Sequence, residues 1–280
     1  MKVLYLSSAS GADYQCDMLF HGLRSLLGAD CVDVNHLHFM YKGTPYPPFF
    51  SIYGLLPNIE VDRSDIEHKI RAKFFDLVIY GSIQRCQSYL TEVLAAYPPS
   101  QIYFIDGEDD HTIRRDVKDR GVYFKRELPD GESWIRPIEF CIPKEKIRKE
   151  MPPKLNLMAP LNPYDRSTYI YYGSEDSYYK QYAESFFAKT CKKGGWDCCR
   201  HYEIMAAGCI PYFDRLEDCP TYTLNWLPRN ALLEARKLCD NWNPSRIPEW
   251  QSLGIRIGDA LNTYLTTEAM AKYVLGGRTG

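Results

Sequence analysis

Two kinds of hydrophobic spacing alternate along the first half of the chain. Apolar runs of strand length fall at residues 2–6, 31–34, 76–80, 101–105 and 121–126, and stretches with helical spacing lie between them at 13–27, 65–74 and 91–97. A strand that is apolar on both faces needs cover on both faces, which intervening helices supply, so the pattern predicts parallel βα units and a Rossmann-like half. Gly28 ends the first helix, and Gly81 and Ser82 close the third apolar run. Residues 36–60, rich in Pro, Gly and aromatics, predict an irregular insertion, and long insertions beside a cleft often contact substrate. Residues 127–154 carry the prolines and charges of a linker, which places a domain boundary near residue 150. A second series follows: a strand at 155–159, a strand after Arg166 running to Gly173, a helix at 178–184, a short strand, and helices near 230–240 and 247–276. No internal repeat or low-complexity segment is visible.

One stretch breaks the plain alternation. Residues 191–213 read CKKGGWDCCRHYEIMAAGCIPYF, which predicts a turn, a short helix and a strand in immediate succession. Lys192, Lys193, Gly194 and Gly195 form a cationic loop with little side-chain bulk. Asp197 is placed to cap a helix over 198–207, and Gly208 is placed to end it. A glycine loop opening a helix offers backbone N–H groups at the positive end of the helix dipole, the arrangement that binds phosphate. Arg200 and Glu203 lie three residues apart and share a helix face. A guanidinium there can hold a diphosphate, and a carboxylate one turn on can accept from two ribose hydroxyls. The competing reading is an ordinary intrahelical ion pair, against which the glycine loop and its lysines weigh.

The stretch ESFFAKTCKKGGWDCCRHYEIMAAGCIP resembles the donor-sugar signature of exostosin-like glycosyltransferases, whose donor-binding half carries an Arg, a Glu and a GCIP strand in this order. It is also similar to small soluble glycosyltransferases of large DNA viruses and bacteria. The resemblance is specific from Arg166 to Asp214; over the first half it is one of architecture alone. It implies an α/β fold of the GT-B type, two Rossmann-like halves facing across a cleft. Residues 1–150 would bind the acceptor and 151–255 the nucleotide-sugar, with the C-terminal helix, 256–280, packed back on the first half. Arg166 matches an arginine that approaches the donor phosphates in that family, and joins Lys193, Gly194, Gly195, Arg200 and Glu203 as donor-binding candidates. The implied activity is transfer of a sugar from a UDP-sugar, with UDP-xylose as the small donor expected, to a hydroxyl of a glycan or glycoprotein. An inverting transfer needs no cofactor, and no metal if the cations stabilise the leaving diphosphate.

It does need a base, and the first half must supply it. Asp13, in the loop after the first strand beside Ser10, Gly11 and Ala12, is the first candidate; its competing role is to cap the helix that starts at Tyr14. Asp106 and Glu108 are the second, because carboxylates at the carboxyl end of a parallel strand face the ligand crevice. The cluster continues through Asp109, Asp110 and His111, so a metal-dependent hydrolase or phosphatase built on Asp106, Glu108 and Asp109 is an alternative, and capping of a helix near Thr112 is a bland one. A non-catalytic nucleotide- or glycan-binding protein is a further alternative. His36 and His38, two residues apart with no third ligand, read as ordinary loop histidines.

Composition narrows the partners. With 25% charged residues, a net charge of −2 and no long basic run, the chain is not expected to bind nucleic acid. The 22 tyrosines and 5 tryptophans are compatible with stacking on sugars. None of the ten cysteines forms a CxxC pair, so no zinc site is expected and the thiols read as reduced. The N-terminal apolar run is too short for a signal peptide and no stretch is long enough to span a membrane, which gives a soluble, cytoplasmic expectation.

Overall fold

The alternating pattern folds as two parallel sheets. The structure, a computed structural model, describes residues 1–8, 11–43, 51–170 and 173–276. The first sheet contains β1 (Val3–Leu6), β2 (Cys31–Asp33), β3 (Leu77–Tyr80), β4 (Ile102–Asp106), β5 (Val122–Lys125) and β6 (Ile135–Pro137). Their order is β2-β1-β3-β4-β5-β6, and every neighbouring pair is parallel. Successive side chains on β1 enter different cores: Val3 and Tyr5 pack on one face, Leu4 and Leu6 on the other. Helix α1 (Tyr14–Leu27) covers the first face. Ile66 and Ile70 of α2 (Ile66–Arg71) and Val93 of α3 (Leu90–Ala96) belong to the second. The strand order reverses direction at β1 and β3, so the carboxyl ends of these strands flank the crevice where doubly wound sheets take ligands.

The second sheet is smaller: β7 (Asn156–Met158), β8 (Ser185–Thr190) and β9 (Ile210–Phe213), parallel and in that order. Around it lie α4 (Glu175–Ala183), α5 (Cys199–Ala206), α6 (Arg229–Asp240) and α7 (Ile247–Tyr264). No strand pairing joins the two sheets among the described residues. The apolar core is nevertheless continuous, because the cluster holding Val3 and Tyr5 extends through Phe187, Ile204 and Leu261 of the second half.

The helix expected over 247–276 is broken. Ile142 inserts between α7 and α8 (Thr267–Val274): its N–H donates to Leu265 O at 2.9 Å and its carbonyl accepts from Thr267 N at 3.0 Å. The extended Thr266 then caps α8 by accepting from Ala269 N. This break lets α7 pack on α5 and α6 while α8 lies along α1. The α1–α8 approach is close enough that a Cβ on Gly22 would stand 1.9 Å from Thr267 O.

Three local expectations differ from the structure. The stretch read as a linker contributes β6, whose Ile135 is buried against the second core face. No helix forms near Thr112; Asp110 accepts from Thr112 N at 2.8 Å and a short 3-10 turn follows at Arg115–Val117. The strand expected after Arg166 gives way to a 3-10 turn, Arg166–Thr168, because Asp165 accepts from Ser167 N at 3.0 Å. Residues 171–172 of that stretch, Ser10 of the first loop and residues 44–50 of the insertion lie outside the described residues.

Candidate functional site

A cavity of about 440 Å³ lies where the two halves meet. The first half lines it with Tyr14, Asp109 and Phe140, and the second with Lys193, Gly194, Gly195, Arg200 and Glu203 among others. Five of the six donor-binding residues expected from sequence therefore share one cavity. Arg166 does not line it and is exposed.

The glycine loop works differently from the sequence expectation. Its backbone donors at Trp196 and Asp197 point at the carboxylate of Glu127, at 3.0 and 2.9 Å. A Cβ on Gly195 would stand 2.3 Å from Glu127 Oε1, and one on Gly194 would stand 2.1 Å from Asp109 Oδ2. The glycines are thus needed for close approach of carboxylates from the first half. Asp197 does not cap α5; Cys198 occupies the N-cap position without a side-chain bond. Asp197 is buried instead, accepting from Phe140 N at 2.6 Å and Tyr202 OH at 2.8 Å. Burial pushes its carboxyl up to about 6, opposed by the charge of Arg126.

Two charged side chains of α5 face the cavity. Arg200 is 5% exposed, and its Nη1 makes no hydrogen bond within the described protein. A buried guanidinium N–H without an acceptor is costly, and guanidinium groups pair strongly with anionic oxygens. Glu203 sits one turn on, with Ser51 Oγ donating to Oε1 at 2.5 Å and Tyr178 OH to Oε2 at 2.6 Å. Burial raises the pKa of Glu203, and these two hydroxyls pull it back down.

The carboxylates of the first half have separate environments. Asp106 is fully buried and saturated: Lys125 Nζ (2.8 Å), Tyr123 OH (2.6 Å), Gln84 Nε2 (3.0 Å) and Glu108 N (3.2 Å) all donate to it. It is not in the cavity lining, and its lone pairs are committed to the end of β4. Glu108 is paired in two-pronged fashion with Arg85, at 2.7 and 3.1 Å. The same guanidinium reaches Asp13 Oδ2 at 3.2 Å. Neither Glu108 nor Asp13 is among the residues lining the cavity; Asp13 caps α1 by accepting from Cys16 N at 3.3 Å, and its neighbour Tyr14 lines the cavity. Burial raises the pKa of Asp13 against the pull of Arg85.

One turn into α1, Asp17 accepts from Asp13 N and from Tyr53 OH, both at 2.9 Å, and burial pushes its carboxyl up to about 8. The native protein therefore holds a proton on Asp17, from its ordinary range near pH 4 up to about 8, that the unfolded chain has lost. Stability from this group is full below the unfolded pKa and falls as pH rises through that window, by at most about 1.4 kcal/mol per pH unit. The variant Asp17→Asn is expected to flatten the melting temperature profile between about pH 4 and 8 and to melt above wild type at the alkaline end. Parallel profiles in a melting series across pH would contradict this.

The carboxylates of the acidic stretch after β4 are held apart by different cations. Asp106 pairs with Lys125, Glu108 with Arg85 and Asp109 with Arg126, so each carboxylate is tied to a different cation. No group of three or more His, Cys, Asp or Glu could hold a metal ion among the described residues. His36 and His38 pack on Tyr41 and Phe39, and all ten cysteines are unpaired.

Sequence reading overlooked the residues that join the halves. Arg126, 1% exposed, donates from Nε to Gly107 O (3.0 Å) and from Nη1 to Glu127 (3.1 Å) and to Asp197 O (2.9 Å), and pairs with Asp109. Its guanidinium also lies 4.4 Å from the centre of the Phe140 ring. The only local signal was an Arg-Glu pair following a strand, at the position where a parallel sheet delivers side chains to its ligand face. No model of a known protein family matches this chain, and no curated protein does. Among the described residues, no helix is long and apolar enough to cross a membrane.

Proposed function

We propose that this chain is a glycosyltransferase with a GT-B-like arrangement, moving a sugar from a UDP-sugar to a hydroxyl of a glycan or glycoprotein acceptor. The observation that carries the reading is Arg200, a buried guanidinium that lines a cavity to which both halves contribute and whose Nη1 has no hydrogen-bond partner among the described residues. The diphosphate binds Arg200 and Lys193, and Glu203 takes hydroxyls of the nucleotide or sugar. The acceptor enters from the side of Tyr14 and Phe140. Its hydroxyl oxygen attacks the anomeric carbon as the bond to the diphosphate oxygen breaks, Asp13 takes the hydroxyl proton, and the departing nucleoside diphosphate keeps the electron pair. The two cations meet the charge that develops on it. Asp106 is left out of this chemistry because its oxygens are already bonded.

Calorimetric titration with UDP and UDP-sugars tests the donor half of the proposal. Arg200→Ala and Glu203→Ala are expected to weaken binding roughly ten- to a hundredfold while the fold is retained, as loss of a charge-assisted contact worth about 1.5–3 kcal/mol requires. Unchanged affinity in both folded variants would remove the donor assignment. Transfer unaffected by a chelator separates this reading from a metal-dependent hydrolase, and any turnover separates it from a binding protein.

A further inference from the structure

Ser51 is an unusual residue for the place it occupies. It comes from the long insertion of the first half, is 4% exposed, and has φ at +77°, a left-handed conformation that a serine keeps only where surrounding contacts over-determine it. Among the described residues, its side-chain and N–H partners lie in the second half. Its N–H donates to Glu175 Oε1 at 2.8 Å, and its hydroxyl stands 2.8 Å from Tyr179 OH and donates to Glu203 Oε1 at 2.5 Å. Lys146 Nζ, 2.8 Å from Glu175 Oε1, holds the acidic end of this chain of contacts.

We infer that Ser51 is a positioning residue for the ligand carboxylate: it fixes the orientation of Glu203 from across the interface and keeps it in the acceptor-only form that can receive ligand hydroxyls. The inference rests on the donor reading above and deepens it, since it assigns the first half a part in donor recognition. Glu203 is buried, and a buried carboxyl without donors takes up a proton; a protonated carboxyl gives one of its oxygens a donor role and accepts a diol poorly. Ser51 and Tyr178 each supply a donor against that tendency, and Ser51 is the larger influence of the two.

The other groups facing Glu203 do not replace it. On α5, Arg200 favours the charged form, and Cys199 is held neutral by burial. On α4, Glu175 opposes the charged form; Tyr178, Tyr179 and Tyr182 are neutral, their pKa values raised by burial. Tyr169 and Tyr14, at the other walls, are likewise raised by burial.

The test measures Glu203 itself and the donor separately. Carbon-13 NMR of side-chain-labelled glutamate, with the Glu203 signal identified by its loss in Glu203→Gln, follows ionisation in wild type, Ser51→Ala and Ser51→Gly. Ser51→Gly is the folding control, because glycine accepts the left-handed backbone without strain. Removing the hydroxyl in either Ser51→Ala or Ser51→Gly is expected to raise the Glu203 midpoint. UDP affinity in the two deletion variants is expected to fall about tenfold on the acid side of the variants' Glu203 midpoint and to approach wild type on its alkaline side. A merely structural role would weaken binding equally across pH. A Glu203 midpoint unmoved in both deletion variants, or a pH-independent loss of affinity, overturns the inference. Failure of wild type to bind any nucleotide would overturn the donor reading, and with it the ligand role given to Ser51, even if the midpoint shifts.

Discussion

Asp13→Asn is expected to bind UDP like wild type and to lose about two to four orders of magnitude in transfer rate. The loop after β1 lies at the point where the strand order reverses, and Asp13 begins a helix whose first residue, Tyr14, lines the cavity. Burial raises its pKa, which moves a carboxylate toward the proton affinity a general base needs, and the charge of Arg85 opposes that rise. Asparagine preserves the shape and the cap to Cys16 N but cannot take a proton. Initial rates and melting temperature measured on the same preparation decide the matter. If turnover stays near wild type while stability is unchanged, capping is the whole role of Asp13. The assignment would then pass to Glu108, which shares Arg85 and is tested by Glu108→Gln. Asp106→Asn would instead lower stability, because it removes the charge facing buried Lys125.

The largest stability effect is expected at Arg126. Replacing it by methionine leaves Asp109, Glu127 and Asp197 without the cation they share, and breaking a buried charge network by removing one partner costs about 3–5 kcal/mol. For a chain of this size that corresponds to a fall in melting temperature of roughly 5–9 °C. The loss carries a pH signature. Arg126 pulls the pKa of Asp197 down from where burial would put it, so without the arginine Asp197 holds its proton to higher pH in the folded state. Stability then falls more steeply as pH rises above about 6, and the variant should suffer more at pH 8 than at pH 5. Adding Glu127→Gln to Arg126→Met is expected to recover part of the loss, since one unpaired buried charge is removed. A melting temperature within a degree or two of wild type would mean that the halves are held by their shared apolar core alone.

The same interface separates what local sequence can specify from what it cannot. Each strand of the first sheet except β6, and the longer helices apart from the break between α7 and α8, were legible as apolar periodicity, because burial on one or two faces writes itself into neighbouring residues. Helix α1 is the clearest case: Asp13 caps it, Gly28 closes it with φ at +55°, and both roles are satisfied within the segment. Arg200 and Glu203 reach one cavity for the same reason, since three residues along a helix always share a face. β6 was missed because three residues ending in proline carry too little pattern to separate a sheet edge from a linker.

What the sequence by itself determined, then, are the elements that local hydrogen bonds and periodicity define: parallel βα units in the first half, the short helix after the glycine loop, and a charged face on that helix. Tertiary structure alone decided which charges meet. Ser51 and Glu203 are 152 residues apart, and Arg126 and Asp197 are 71 apart. The glycine loop that locally resembles a phosphate cradle gives two of its N–H groups to Glu127 because the two halves pack that closely. Side-chain pairing across an interface depends on how whole elements are placed, and that placement follows from burial summed over the entire core; no window of neighbouring residues contains it.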